Sequence, residues 1–186
     1  NIAYNLALLG DKPVLVGTVG DVFSDYRLLL ESRWVDTSGT KLIAGDSTAS
    51  CFINTDLQDN QITAFYPGAM SQASTVSLID LGATADDLVI IAPNDPKAIA
   101  RYTEECSAAK IPYLYDPSMQ LPRMTKEDLE AGFKGARILA GNDYEFGMMA
   151  NKMEITENEL RRRVPITVMT RGEAGAMITV EGDVFD

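Results

Sequence analysis

Residues 137–149, RILAGNDYEFGMM, decide the fold of this chain. Arg137 to Ala140 reads as a short buried strand, and Gly141 leads it directly into a helix that opens with Asn142. A strand followed at once by a helix is the repeating unit of an open α/β sheet. Such sheets bind ligands outside the carboxyl ends of their strands, so polar side chains at this junction indicate where chemistry would take place.

Asn142 and Glu145 lie three residues apart and share a face of the first helical turn. An amide and a carboxylate there could hold a hydrated magnesium ion and the phosphates it carries, because magnesium prefers oxygen ligands and keeps several waters. The same pair also fits an ordinary capping box, in which each side chain accepts a backbone N–H at the helix start. Taken alone, the pair favours the capping box.

The strand and helix pattern recurs along the chain. It predicts strands at Pro13–Val19, Leu88–Ala92, Tyr113–Tyr115, Ile166–Met169 and Ala176–Val180. It predicts helices at Ile2–Leu9 and Val22–Arg33, and a third that Asp95 caps. Further helices begin at the capping-box patterns of Thr125 with Asp128 and Thr156 with Glu159. The predicted fold class is therefore α/β, with a mostly parallel central sheet and helices on both faces.

Two of these helices carry apolar residues at helical spacing, which predicts a packed face for each. In the helix at Val22–Arg33, the inward positions are Val22, Phe23, Tyr26, Leu29 and Leu30, with Trp34 and Val35 completing the face. In the helix capped by Asp95, they are Ile99, Tyr102, Cys106 and Ala109.

Residues 36–66 break the pattern. They contain short strand-like runs with a hairpin turn near Asp59 and Asn60. Such an addition to an α/β core fits a small β-sheet lid, and it also fits an ordinary edge hairpin. The predicted organisation is a core of residues 1–35 and 67–186, incomplete at both termini, with lid strands at 36–66 inserted into it.

Composition narrows the classes of function. The 186 residues have a formal net charge of −11, which argues against binding to nucleic acid or to an acidic membrane surface. The chain contains no histidine, so catalysis by histidine within it is excluded. Two cysteines, Cys51 and Cys106, have no partner at metal-ligand spacing, which fits a reduced, cytoplasmic setting. The sequence shows neither a membrane-spanning run nor a secretory leader.

Polar residues follow several predicted strands at the carboxyl end. They are Asn94, Asp116, Asn142 with Glu145, and Thr170. Four such positions at one edge of a sheet favour a ligand site, although ordinary turn chemistry also places polar residues in these loops.

Three motifs in order span nearly the whole chain. The first is Asn1, Ala3, Gly10 and Gly20, the second is Asn142-Asp143-Tyr144-Glu145, and the third is the T-x-G-x-x-G turn of residues 170–175. In this the chain resembles the ribokinase-like, or PfkB, family of sugar and nucleoside kinases, although the paired glycines that precede the first motif are absent. The stretches QITAFYPGAM, APNDP and YDPSMQLP look most like the adenosine-kinase branch.

This resemblance implies a reaction and a set of roles. The γ-phosphate of ATP would pass, with Mg²⁺, to the primary 5′-hydroxyl of a nucleoside such as adenosine. Asn1 and Asn94 would contact the substrate, and an Asn at position 94, where ribokinases have Glu, disfavours free ribose. Asn142 and Glu145 would order magnesium, its waters and the ATP phosphates, supported by Asp116. Asn142, Thr170 and Gly172 would lie along the nucleotide.

The resemblance also implies parts that this chain does not contain. The family's Gly-Ala-Gly-Asp signature, with the anion hole and the catalytic Asp base, is expected beyond residue 186, so these residues alone are predicted to be inactive. A sugar kinase and a non-catalytic nucleoside-binding or sugar-binding paralogue remain alternatives. A dinucleotide enzyme is disfavoured, since no G-x-G-x-x-G lies between a strand and a helix. An uncovered lid edge would allow a homodimer.

Overall fold

The chain changes architecture at Val76. The computed structural model describes residues 1–58 and 61–186 and divides them into two units, Asn1–Val76 and Ser77–Asp186. The predicted hairpin turn at Asp59 and Asn60 lies outside the described residues.

The described residues of the first unit form two α-helices, one 3₁₀ helix and two small sheets. In chain order its elements are α1 (Ile2–Leu8), β1 (Gly17–Val19), α2 (Ser24–Glu31), β2 (Thr40–Leu42), β3 (Ser50–Thr55), β4 (Gln61–Tyr66) and a 3₁₀ helix at Gly68–Thr75. Strands β1 and β2 pair in parallel, and β3 and β4 pair antiparallel. Within the range predicted as a lid, β2 thus joins the βαβ unit and β3 and β4 form a hairpin. The division into core and lid remains a prediction.

Strand β1 is shorter than the predicted strand at Pro13–Val19. Before Gly17 the backbone makes one isolated bridge, between Val14 and Asp36, and the Leu15 N–H donates to the Asp36 carbonyl at 2.7 Å. A strand needs a continuous partner, and β2 supplies one for three residues only.

The core of the first unit joins β1 to one side of α2. Val19, Phe23, Leu30 and Val35 are buried together. The prediction was wrong for Val22 and Trp34, which are 91% and 79% exposed. Val22 precedes the helix, and Trp34 follows it in a left-handed turn with φ 66°. Tyr26 and Leu29, also predicted to pack, are exposed because the buried stripe runs through Phe23 and Leu30 instead.

The second unit is one six-stranded sheet with its connecting helices. Its elements are β5 (Val89–Ile91), α3 (Pro96–Ala109), β6 (Tyr113–Tyr115), α4 (Lys126–Phe133), β7 (Ala136–Asn142), α5 (Asp143–Met153), α6 (Glu157–Leu160), β8 (Ile166–Thr170), β9 (Ala176–Val180) and β10 (Asp183–Phe185). Short 3₁₀ helices lie at Ser118–Arg123 and Gly172–Ala174. The strand order is β10-β9-β8-β7-β6-β5. Strands β5 to β8 pair in parallel, whereas β9 pairs antiparallel with β8 and β10 pairs antiparallel with β9. The predicted α/β class with a mostly parallel sheet is confirmed.

Large side chains bury one face of this sheet under the helices. The ring of Tyr115 meets Phe133 of α4 edge-on, with centroids 5.9 Å apart, and the Tyr113 hydroxyl donates to the Gly132 carbonyl at 2.8 Å. Ile99, Tyr102 and Cys106 of α3 are buried as predicted. Ala109 is exposed, because α3 ends there and Lys110 turns into the left-handed region at φ 57°.

All of the predicted caps in this unit are present. Asp95 accepts the Lys97 N–H at 3.0 Å at the start of α3. Both further capping boxes predicted from the sequence, at Thr125 and Thr156, form reciprocal bonds. In residues 1–58 and 61–186, no helix has the length and apolar character needed to span a bilayer.

Candidate active site

Asn142 and Glu145 form a complete capping box at the start of α5. The Asn142 Oδ1 accepts the Glu145 N–H at 2.8 Å, and the Glu145 Oε2 accepts the Asn142 N–H at 2.7 Å. The commoner of the two interpretations of this pair is therefore correct as a description of local structure. In the described part of the chain, no protein group donates to Glu145 Oε1, so this half-buried carboxylate retains capacity for a ligand.

The sheet places Thr170 beside this cap. Asn142 is the last residue of β7 and Thr170 the last residue of β8, and the two are register partners in the parallel pair. Neighbouring strands lie about 4.8 Å apart. The pairing of β7 with β8 thus brings together two polar residues that are 28 positions apart in the sequence.

A tight turn follows Thr170. The Arg171 N–H donates to the Gly175 carbonyl at 2.8 Å, and the Gly175 N–H donates to the Gly172 carbonyl at 3.1 Å. Gly172 and Gly175 have φ 56° and 82°, and nothing lies within 4 Å of a Cβ built at either. The glycines are therefore required by backbone conformation and not by crowding.

An ion pair ties this turn to the end of β10. The Arg171 Nη2 lies 3.0 Å from the Asp186 Oδ1 and 3.4 Å from the Ala174 carbonyl oxygen. Sequence reasoning did not single out Arg171, because its partner Asp186 lies 15 residues away and only the β9–β10 hairpin brings the two together.

Asp116 lies directly after β6 at the same edge of the sheet. Its N–H donates to the Ile91 carbonyl at 3.0 Å, and its carboxylate accepts a hydrogen bond from the Ser118 hydroxyl. Burial raises the pKa of the Asp116 carboxyl, and the bonds from Ser118 offset part of that shift. Sequence reasoning missed Ser118, although a Ser two residues after an Asp is a known turn pattern.

The two residues predicted to contact substrate differ in their placement. Asn94 follows β5 and is half-buried, and its Oδ1 accepts the Asp95 N–H at 2.8 Å. Asn1 is exposed at the start of α1, makes no side-chain capping bond and belongs to the first unit. The second unit therefore brings Asn142, Glu145 and Thr170 together directly and holds Asp116 and Asn94 at the same strand edge.

The donor set suits a magnesium ion held largely through water. Among residues 1–58 and 61–186, no group of three or more His, Cys, Asp or Glu could hold a metal directly. The oxygens of Glu145 and Asp116 are chemically suited to Mg²⁺, which commonly takes one or two carboxylates together with waters and substrate phosphates. The residues fit this hydrated mode and do not form a closed protein cage.

An open α/β sheet with amide, hydroxyl and carboxylate groups at the carboxyl ends of its strands has the position and the polar groups of a ligand site. Residues 1–185 match the family described as pfkB family carbohydrate kinase, and the chain belongs to this family.

Several proteins of known structure or curated sequence are similar to this chain. A nucleoside kinase of Methanothermobacter thermautotrophicus is 31% identical over 181 residues, covering 96% of this chain and 59% of that protein. A structure of the Burkholderia thailandensis nucleoside kinase in complex with inosine is 32% identical, with a TM-score of 0.93, and covers 100% of this chain and 62% of the other. The same enzyme in complex with ADP-inosine gives a TM-score of 0.87 over 99% of this chain and 57% of the other. The chain thus spans less than two thirds of the length of these relatives.

Proposed function

We propose that the whole protein is an ATP-dependent kinase that phosphorylates the 5′-hydroxyl of a nucleoside, with adenosine as the first candidate and inosine as the second. The observation that carries the proposal is the placement of Asn142, Glu145 and Thr170 together at one edge of the sheet. The similarity of the chain to nucleoside kinases adds to it. Inosine is included because a structure of the similar Burkholderia enzyme is of its complex with inosine.

The groups at this edge match what phosphoryl transfer needs. The reaction depends mainly on positioning and on charge neutralisation, so a histidine is not required. Mg²⁺, when bound, would neutralise charge on the phosphates of ATP. The Glu145 carboxylate and the Asn142 amide would orient its waters and the phosphate oxygens, while the turn at 170–175 would lie along the nucleotide.

Asp116 would support the same network. Its carboxyl pKa is raised by burial, and a cation bound nearby would favour the ionised form. Asn1 would hydrogen-bond hydroxyls of the acceptor, and Asn94 would lie near the acceptor. We assign the catalytic base to none of the acidic residues of this chain, because the family's Gly-Ala-Gly-Asp signature is expected to supply it.

The β3–β4 hairpin would act as a lid over the acceptor. Its strands carry Phe52, Ile62 and Phe65, which are 67%, 76% and 49% exposed.

Such a two-stranded hairpin has free edges, and we propose that it pairs with a second copy of the chain. Light scattering of the whole protein after size exclusion would test this, and a monomer at all concentrations would contradict it.

The test of function is an assay of ATP consumption by the whole protein with Mg²⁺. The acceptors are adenosine, inosine, other nucleosides, ribose and fructose. We expect turnover on a purine nucleoside at least tenfold above that on either sugar. Turnover on ribose or fructose alone would replace the proposal with a sugar kinase. Adenosine binding without turnover on any acceptor would indicate a non-catalytic binding protein.

A further inference from the structure

Three consecutive arginines, Arg161–Arg163, lie between the end of α6 and the start of β8. The whole chain has 16 basic residues against 27 acidic ones. A run of three cations is therefore a local exception in an acidic protein. A charged run is by default a solvated face, so its surroundings decide whether it is more than that.

The arginines line a cleft. Its volume is about 490 Å³, and its other walls are Val164, Pro165 and the Glu181-Gly182 turn between β9 and β10. The Glu181 N–H donates to the Pro165 carbonyl at 2.9 Å, which fixes the turn against the segment that carries the arginines. Volumes of roughly 300–1,000 Å³ are typical of sites for small molecules.

One of the three arginines is anchored. Arg161 is half-buried, donates through Nη2 to the Asn158 Oδ1, and lies 3.8 Å from the Met177 Sδ through Nη1. Its guanidinium is therefore held at the base of the cluster, while Arg162 and Arg163 are exposed.

Glu159 interacts electrostatically with the two exposed arginines, but among the described residues it forms no ion pair with either. The Glu159 carboxylate accepts the Thr156 N–H and hydroxyl, both at 2.8 Å. These bonds are the main cause of its lowered pKa, and Arg163 and Arg162 contribute less. Within the described ranges, the ion pairs closer than 4.0 Å involve Arg101, Lys126 and Arg171. No described residue accepts a hydrogen bond from the Arg162 or Arg163 side chain, so both guanidinium groups have donors available for a ligand.

We propose that Arg161–Arg163 form a binding site for a small phosphate-bearing anion, such as pyrophosphate or the phosphate tail of a nucleotide. Guanidinium groups bind phosphate oxygens through paired N–H donors. The three guanidinium groups outnumber the carboxylates of Glu181, in the same cleft, and of the nearby Glu159, so an excess of positive charge is left for a phosphate anion. The site lies at the amino end of β8, whereas Thr170 lies at the carboxyl end. Strand β8 has five residues, so its two ends lie about 13 Å apart.

The test uses pyrophosphate and the whole protein. Isothermal titration calorimetry would compare the parent with the double variant Arg162→Gln, Arg163→Gln. The matched control is Lys110→Gln with Lys134→Gln, which removes two exposed cations from the second unit outside the cleft. We expect the arginine variant to weaken pyrophosphate binding about tenfold or more, since charge-assisted bonds are lost. The lysine variant is expected to bind within about twofold of the parent.

Arginine modification locates the binding. Phenylglyoxal labelling read by peptide mass spectrometry should show that pyrophosphate protects Arg162 and Arg163, whereas Arg33 is labelled equally with and without it. Protection by ADP at similar concentration would identify a nucleotide phosphate tail as an occupant, and protection by pyrophosphate alone would restrict the site to the free anion. Equal weakening in both double variants, or labelling of Arg162 and Arg163 that pyrophosphate does not change, would overturn the proposal. Circular dichroism would confirm that each variant is folded.

Discussion

The Oε2 atom of Glu145 lies 2.7 Å from the Asn142 nitrogen, while the Oδ1 atom of Asn142 lies 2.8 Å from the Glu145 nitrogen. The two side chains that the family resemblance assigns to magnesium are therefore also the two that cap α5. Any substitution that removes both side chains changes stability and the proposed chemistry together. Useful variants must separate these two roles.

Glu145→Gln makes this separation. Glutamine retains an acceptor oxygen for the Asn142 N–H, so we expect the free energy of unfolding to change by less than about 0.5 kcal/mol. It removes the negative charge, so turnover with ATP and Mg²⁺ is expected to fall at least about tenfold. The measurements are a urea titration and a kinase assay on the whole protein.

The control for this variant is Asp128→Asn. Asp128 occupies the same position in the capping box of α4, where it accepts the Thr125 N–H at 2.8 Å. The chemical change is the same, from a carboxylate to an amide, but α4 begins after a 3₁₀ segment and not at a strand end. We expect full activity from Asp128→Asn. If both variants were fully active, Glu145 would be a cap and nothing more.

Asp116→Asn should stabilise the protein at neutral pH. Burial raises the pKa of Asp116 above its ordinary value of 3.8, so the ionised form is disfavoured in the folded state. Below that ordinary value the carboxyl is protonated in both states and has no cost, and the cost grows as the pH rises through the folded pKa. Asparagine keeps an acceptor for Ser118 and carries no charge. The Tm of the variant should therefore exceed that of the parent at pH 7, with the difference shrinking toward pH 4.

Asp36→Asn should have the opposite effect on Tm at pH 7. Hydrogen bonds from Ser38 lower the pKa of Asp36, so its ionised form is favoured in the folded state. That contribution is present above the ordinary pKa and is lost as the pH falls through the folded pKa. The variant should have a lower Tm than the parent at pH 7 and approach it in acid. Scanning fluorimetry across pH measures both, and a lower Tm for Asp116→Asn at pH 7 would contradict the burial argument.

The features that were predicted correctly from the sequence depend on interactions between residues close together in the chain. The three capping boxes at Thr125, Asn142 and Thr156 need only residues within one helical turn, and all three are present. Strand β9 matches its predicted bounds, because a short run of apolar and β-branched residues favours an extended backbone. The alignment of polar residues at strand ends follows from the parallel direction of β5 to β8.

Features that depend on distant partners were not predictable in this way. The length of β1 is set by its pairing with β2, which begins 21 residues after the last residue of β1. The exposure of Trp34 follows from a left-handed backbone that its residue type does not favour. Asn1 belongs to the first unit and Asn94 to the second, and their roles toward the acceptor remain predictions.

Gly141→Ala should reduce activity more than stability. A Cβ at Gly141 would lie 3.1 Å from the Glu145 Oε2 and 3.5 Å from the Phe146 ring. The carboxylate would have to move by a few tenths of an ångström, away from its bond to the Asn142 N–H. The loss of chain entropy in the unfolded state, worth about 0.4–1 kcal/mol, offsets part of this strain. We expect turnover to fall about fivefold or more, since small misplacements of catalytic groups are costly, while Tm changes little.

The control is Gly147→Ala in the interior of α5. Its Cβ would meet a single atom, the Glu157 Oε1 at 3.7 Å, which is an ordinary contact. Alanine is favoured over glycine inside a helix by about 0.5–1 kcal/mol, so this variant should be more stable and fully active. Equal activity in the two variants would show that the position of the Glu145 carboxylate does not control the reaction.

Gly20→Ala should be the most destabilising of these substitutions. A Cβ at Gly20 would lie 2.2 Å from the Asp46 carbonyl oxygen, and its other near neighbours are also backbone atoms, so no side chain can rotate away. The bond from the Gly20 N–H to the Thr48 hydroxyl, 3.0 Å long, would be strained as well. We expect a loss of about 3 kcal/mol in the free energy of unfolding, measured with urea.

The control is Gly17→Ala in β1. Nothing lies within 4 Å of a Cβ at Gly17, so this variant should keep the free energy of unfolding of the parent. Similar midpoints for the two variants would mean that residues 46–48 can withdraw from Gly20 without cost.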